Sequence, residues 1–199
     1  MIKSEFGALH EAAHDFAGAQ IRHRGTLGGN ICNASPAGDL LPALYAFDAR
    51  LEVLGQKKRR QIAVRDFIRG PGQTELEQGE VLAGVEIRRR GVESHFVKVG
   101  LRASMAISVL NFAVVYRREN KVFTELHIAA GAVAPTVVLL ETFCRAFLKQ
   151  PEDLKSQLNL IDETIAPMDD IRASASYRRK VLKNLIEDFL KLPEINKGY

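Results

Sequence analysis

The sequence predicts an α+β fold on three observations. Residues 50–132 hold short β-branched and apolar runs separated by Gly- and Pro-bearing turns. From residue 138 onward the apolar positions recur at helical spacing instead. Strands followed by helices indicate helices packed on one face of an antiparallel sheet. The 199 residues, 46% hydrophobic and 26% charged, supply a real core and exclude disordered and fibrous classes. That length allows one domain or two small ones.

Each element follows in order. Phe6, Leu9, Ala13, Phe16 and Ala17 stand at helical spacing and predict a short amphipathic helix ending near Gly18. Residues 25–38 contain four of the fifteen glycines, interleaved with Thr26, Asn30, Asn33, Ser35 and Pro36, a composition that predicts a sculpted loop. Asp39 then precedes LLPALYAF, which reads as a helix capped by that carboxylate with Pro42 in its first turn. ARLEVLG is a strand, KKRRQIAVRDFI resumes extended structure, and RGPGQTELEQGE is a loop. VLAGVEIRRR and HFVKVGLR read as two strands joined by a turn around Gly91. Residues 107–116 and 122–132, bounded by RRENK, predict a hairpin. Residues 138–149, 152–165 and 173–192 read as helices, the last with Tyr177, Val181, Leu185, Ile186 and Phe189 on one face. A domain boundary is expected near residues 91–93, giving units 1–92 and 93–199.

Composition narrows the function. Cys32 and Cys144 are too few for an iron–sulfur cluster or a cysteine-rich zinc site. Residues 1–100 and 101–199 each carry 14 Lys or Arg against 12 Asp or Glu, which argues against a nucleic-acid arm. The basic runs at 57–60, 88–90 and 177–180 could attract phosphate, yet the first two lack interleaved aromatics for stacking bases. Apolar stretches fall far short of the roughly 18 residues of a membrane helix, and the amino terminus lacks the apolar run of a signal peptide. A cytoplasmic protein with free thiols is expected. His10 and His14 stand four apart on a helix, but without an HExxH pattern a solvated pair is the ordinary reading. Cys32 reads as a small packing residue.

TLGGN, residues 26–30, has the makings of a polar-ligand loop. Its paired glycines let backbone approach a ligand, and Thr26 and Asn30 add side-chain hydrogen bonds. On spacing alone a Gly-Gly pair is most often a simple turn. Asp39 is either the cap of the next helix or an acceptor for hydroxyls of a sugar or sugar alcohol.

The longer segment IRHRGTLGGNICNASPAGDLLPALYAFDARLEVLG resembles the second flavin-binding motif of the FAD subunits of molybdenum hydroxylases, the xanthine dehydrogenase and carbon monoxide dehydrogenase family. VLAGVEIRR, FVKVGLRASMAISVLNFAV, HIAAGAVAPT and DIRASASYRRKVL resemble later family segments in the same order. The resemblance implies a PCMH-like second FAD-binding subdomain followed by a carboxy-terminal three-stranded antiparallel sheet with helices. It implies that Thr26, Leu27, Gly28, Gly29 and Asn30 line the flavin site and that Asp39 holds adenosine-side hydroxyls. Leu82 would pack near the flavin and Lys98 would reach it with a cationic head. Without the family, Lys98 reads as a solvated charge on an edge strand. Arg22 and Ser35 would brace the loop.

Further expectations follow from the same likeness. They are an FAD-binding electron-transfer subunit passing electrons from iron–sulfur centres to an acceptor, a molybdopterin-binding large subunit and an iron–sulfur small subunit as partners, and a homodimer in isolation. No catalytic acid, base, nucleophile or metal is required of the chain. The family pattern opens with a subdomain bearing an Ala-Gly-Gly-Thr-Asp-like loop that this sequence does not contain, so FAD held by the second motif alone is expected to bind weakly. The alternative is an assembly scaffold that has lost FAD. Departures from the pattern are His23, Cys32, Asn33, residues 104–108, and Ala132 in place of a second glycine.

Overall fold

A computed structural model describes residues 5–102 and 106–191. Ser104 and Met105 of the departing segment, and Leu192 of the last expected helix, lie outside the described residues.

Helix α1 (Gly7–Asp15) lies near the start of the described residues. It buries Ala8 and Ala12, with Phe6 and Leu9 packed against the same core, while Ala13 is exposed. The expected apolar face is thus rotated, and the reason is close approach. A Cβ on Gly7 would lie 2.8 Å from the Ser94 carbonyl oxygen, and the Ala8 N–H donates to Ser94 Oγ at 3.0 Å, so the face against the strand must be small. The single turn α2 (Ala19–Arg22) follows.

Residues expected to form a loop make helix α3 (Leu27–Asn33), capped by Thr26, whose Oγ1 accepts from the Gly29 N–H at 2.9 Å. The Thr26 cap offsets part of the low helix propensity of two glycines, and the left-handed Ala34 ends the helix. Helix α4 (Leu40–Ala46) is buried along its whole length. Asp39 precedes it, but its side chain makes no capping hydrogen bond, because other groups hold the carboxylate.

Strands β1 (Arg50–Leu54), β2 (Arg59–Ala63) and β5 (Val81–Glu86) form an antiparallel sheet in the order β2-β1-β5. The extended stretch expected over residues 57–68 is broken by the single turn α5 (Val64–Phe67), which buries Val64 and Phe67. Strands β3 (Ile68–Gly70) and β4 (Gln73–Thr74) pair across a left-handed Gly72.

The second sheet runs β6 (Glu93–Gly100), β7 (Ser108–Glu119), β8 (Val122–Gly131) and β9 (Val138–Leu139), all antiparallel. Gly91 has φ +59°, as a turn there requires, but the strands on either side belong to different sheets. The expected hairpin is β7–β8. Residues 138–139 add a short fourth strand, and the following helix starts only at Glu141.

Helices cover both faces of this sheet. Leu110, Phe112, Val114 and Tyr116 enter a core with helices α6 (Glu141–Lys149), α7 (Leu154–Gln157), α8 (Asn159–Thr164) and α9 (Ala175–Lys191). Ala113, Val115 and Ala129 point the other way, into the core of α1, α4 and β1. β7 is buried from Ser108 to Tyr116, as a strand covered on both faces must be.

The basic runs are engaged by carboxylates. Lys58 pairs with Glu77, Arg59 with Glu52, Arg60 with Glu80, Arg89 with Glu5 and Arg90 with Glu125. The Arg60 hydrogen bond pulls the Glu80 carboxyl down to about 2. Among the described residues no helix is long and apolar enough to cross a membrane.

Candidate functional site

The expected site residues fall into two linked groups. In the first, α3 lies along β5, and the position of a Cβ on Gly28 would meet only Leu82 Cδ2, at 3.8 Å. Thr26 and Gly29 are exposed, Leu27, Gly28 and Leu82 half-buried. Asn30 Oδ1 is buried without a partner. In the second group the Lys98 ammonium donates to Asp39 Oδ2 at 2.6 Å and to the Asp15 carbonyl at 3.0 Å. Residues 31–38 join the groups along the chain. Arg22 donates to the carbonyls of Phe16 and Ala17, bracing the end of α1.

Lys98 is not a solvated edge charge: its side chain is 10% exposed and that of Asp39 7%. Asp39 Oδ1 accepts from Ser108 Oγ at 2.6 Å and from Asn111 Nδ2 at 3.0 Å. One carboxylate thus serves three donors, and the buried cation is neutralised as burial demands. Asn111 is the cross-strand partner of Lys98 and also of Gly131, whose missing side chain leaves room for Asn111 Oδ1. Gly131→Ala is expected to cost about 1–3 kcal/mol by overpacking. Thermal melting checks this, and an unchanged midpoint would contradict it.

Beyond Ser108 lies a second ion cluster. Arg178, 2% exposed at its side chain, donates to the carbonyls of Val109 and Ala132 and to Asp170 Oδ1. Asp170 Oδ2 also accepts from Arg172 Nε and Nη2, and Arg172 Nη1 reaches the Ser108 carbonyl at 3.3 Å. Burial alone would raise the Asp170 carboxyl. Hydrogen bonds from Arg172, the Ala173 N–H and Arg178 outweigh it and hold the group well below the usual carboxylate range.

A folded-state pKa below the unfolded value of about 3.9 adds stability above that value and loses it as pH falls toward the folded one. Asp170→Asn should therefore be weakest relative to the parent near neutral pH, with the gap closing below about pH 4. Urea midpoints across that range test it; a gap independent of pH would contradict it.

The Cys32 thiol is pushed up by burial, and burial pushes Cys144 up to about 12, so neither is an activated nucleophile. Both are free. Cavities of about 260 and 330 Å³ are lined by residues 55–58 with 77–80, and by Asp162 with α9, away from the expected site residues.

Two family descriptions match almost end to end: the FAD binding domain in molybdopterin dehydrogenase over residues 1–88, and the CO dehydrogenase flavoprotein C-terminal domain over 95–192. The xanthine dehydrogenase FAD-binding subunit of Escherichia coli O157:H7 is 32% identical over 186 residues, covering 89% of this chain and 63% of its own. The chain belongs to the family of FAD-binding subunits of xanthine and carbon monoxide dehydrogenases. Xanthine dehydrogenase of Drosophila subobscura is 35% identical over 91% of this chain and 14% of its own. The solved carbon monoxide dehydrogenase from Hydrogenophaga pseudoflava superposes with a TM-score of 0.87 at 25% identity, covering 94% of this chain and 67% of that one. The chain thus spans a little under two thirds of the length of the bacterial FAD-binding subunit it matches.

The family signature DIRASASYRRK forms the Asp170–Arg172–Arg178 cluster, and the turn AGAVAPT supplies its Ala132 carbonyl. Ala132 has φ +59°, the left-handed region that favours the glycine usual in this FAD-subunit pattern. Ala132→Gly should relieve strain of about 1–2 kcal/mol, partly offset by the freer unfolded chain, for a net gain of about 0.5 kcal/mol. A lower melting temperature would refute it. Sequence reasoning missed Ser108, Asn111 and the ion cluster as neighbours of Asp39. Asn111, a polar residue inside the apolar run 109–116, carried the usable signal.

Proposed function

We propose that this chain forms one wall of an FAD site in an electron-transfer subunit of a molybdenum hydroxylase-type enzyme. The reading places electrons arriving from iron–sulfur centres in a small subunit, after a molybdopterin-binding large subunit has oxidised the substrate, and leaving to an acceptor. Bound FAD would supply the redox chemistry, accepting electrons singly or in pairs.

The donor set suits that cofactor. Thr26, Leu27, Gly28, Gly29 and Asn30 combine exposed backbone, a hydroxyl and a buried amide oxygen without a partner. Leu82 adds an apolar contact beside the open Gly28. The observation that carries the reading is the buried Lys98–Asp39 pair. It keeps a cation fixed at the seam between the flavin-binding half, residues 1–92, and the carboxy-terminal half, residues 93–199. A fixed ammonium favours negative charge arriving nearby. Two of its three protons are taken, by Asp39 and the Asp15 carbonyl, leaving one for a ligand. The three donors on Asp39 make it the holder of that ammonium first, with one lone-pair site left for a ribityl or ribose hydroxyl.

Titrating FAD with the purified chain tests this by flavin fluorescence. Saturable quenching that weakens in Leu82→Asp, with folding checked by circular dichroism, supports the reading. No quenching at any concentration, alone or with the large and small subunits co-expressed, overturns it in favour of an assembly scaffold.

A further inference from the structure

The Lys98–Asp39 pair is held from behind by groups far away in the chain. Ser108 opens β7, where the pairing with β6 slips between Val99 and Gly100, so the regular ladder gives this residue little support. Two other contacts fix it. Its carbonyl accepts from Arg172, and the next carbonyl, that of Val109, accepts from Arg178. Both guanidinium groups are clamped by Asp170. With its backbone held, Ser108 directs Oγ at Asp39 Oδ1, and Asn111 donates to the same oxygen. Oδ2 is thereby left for Lys98. The Ala132 carbonyl that Arg178 also grips belongs to a residue whose N–H donates to Pro36, three residues before Asp39.

We propose that Arg172, clamped by Asp170, is a positioning residue that sets the Lys98 ammonium through Ser108 and Asp39. Arg178 is fully buried and holds the fold, whereas Arg172 is 28% exposed and reaches Ser108 by one hydrogen bond from its far end. Removing it should therefore loosen the relay without melting the sheet. The consequence for FAD rests on the function proposed above; the geometry of the relay does not.

Limited labelling of amines with an N-hydroxysuccinimide ester, read per lysine by peptide mass spectrometry, tests it on the full chain. In the parent, Lys98 should label slowly. Arg172→Ala should speed Lys98 labelling by about tenfold, the equilibrium factor of one charge-assisted hydrogen bond. Lys183, which pairs with Asp162 elsewhere, should be unchanged and serves as the internal control. Ser108→Ala should reproduce the effect, and Arg172→Lys should restore part of the protection.

Unchanged Lys98 labelling in Arg172→Ala overturns the proposal, as does an equal rise at Lys183, which would mean general loosening. A rise in Ser108→Ala alone also overturns it, since the relay would then end at the serine. Should the parent not quench FAD, the functional reading fails while the labelling still decides this one. Where FAD is bound, Arg172→Ala should weaken it severalfold, with a fall in melting temperature smaller than that of Arg178→Met.

Discussion

Arg178→Met should lower the unfolding free energy by about 3–5 kcal/mol, the usual effect of removing one partner of a buried ion pair. The side chain is 2% exposed and ends in a pocket made by the carbonyls of Val109 and Ala132 and the Asp170 carboxylate. Methionine fills much of the volume but donates to none of them, so two carbonyls and a carboxylate lose a donor together. For a chain of this size the melting temperature should fall by about 2–4 °C per kcal/mol. Arg178→Lys should recover only part of the loss, because one ammonium cannot match a fork that serves the Val109 and Ala132 carbonyls and Asp170. A urea midpoint for Arg178→Met within error of the parent would show that the cluster contributes nothing net.

Asp39→Ala is the second large effect expected, again about 3–5 kcal/mol, because it leaves the Lys98 ammonium buried without its counter-charge. Ser108 and Asn111 lose their acceptor in the same step. Replacing both charges, Asp39→Leu with Lys98→Met, should return much of the stability, since a well-packed apolar pair often does as well as a buried ion pair. Flavin quenching should not return with it. Equilibrium urea unfolding of the two single variants and the double variant measures the coupling between them. Strict additivity would deny that the two residues interact.

How much of this was legible in the sequence depends on the range of the interaction. The β7–β8 hairpin and the presence of the last helix are legible because their apolar periodicity is local, but that helix is turned from the expected face: it buries Arg178, Leu182, Ile186, Phe189 and Leu190 and leaves Tyr177 exposed. Within residues 25–38, expected as a loop, the helix Leu27–Asn33 stays hidden because its two glycines and two asparagines outweigh the Thr26 cap in any local count. For Asp39 the local sequence offers a helix cap or a hydroxyl acceptor, and neither is the ion pair it makes. Nothing near it announces that Lys98, Ser108 and Asn111, 59 to 72 residues away, compete for its carboxylate. The buried role of Arg178 is equally hidden from a local count, because its acceptors, the carbonyls of Val109 and Ala132, lie 69 and 46 residues away.

The central strand β7 faces helices from the front of the chain on one side and from the back on the other. Each half therefore lends the other an inner surface it could not cover by itself. Cut between residues 92 and 93, neither piece would keep a closed interior. Unfolding should accordingly run as one cooperative transition, and slow hydrogen exchange should spread across the β7 amides rather than stop at the boundary between the two family matches.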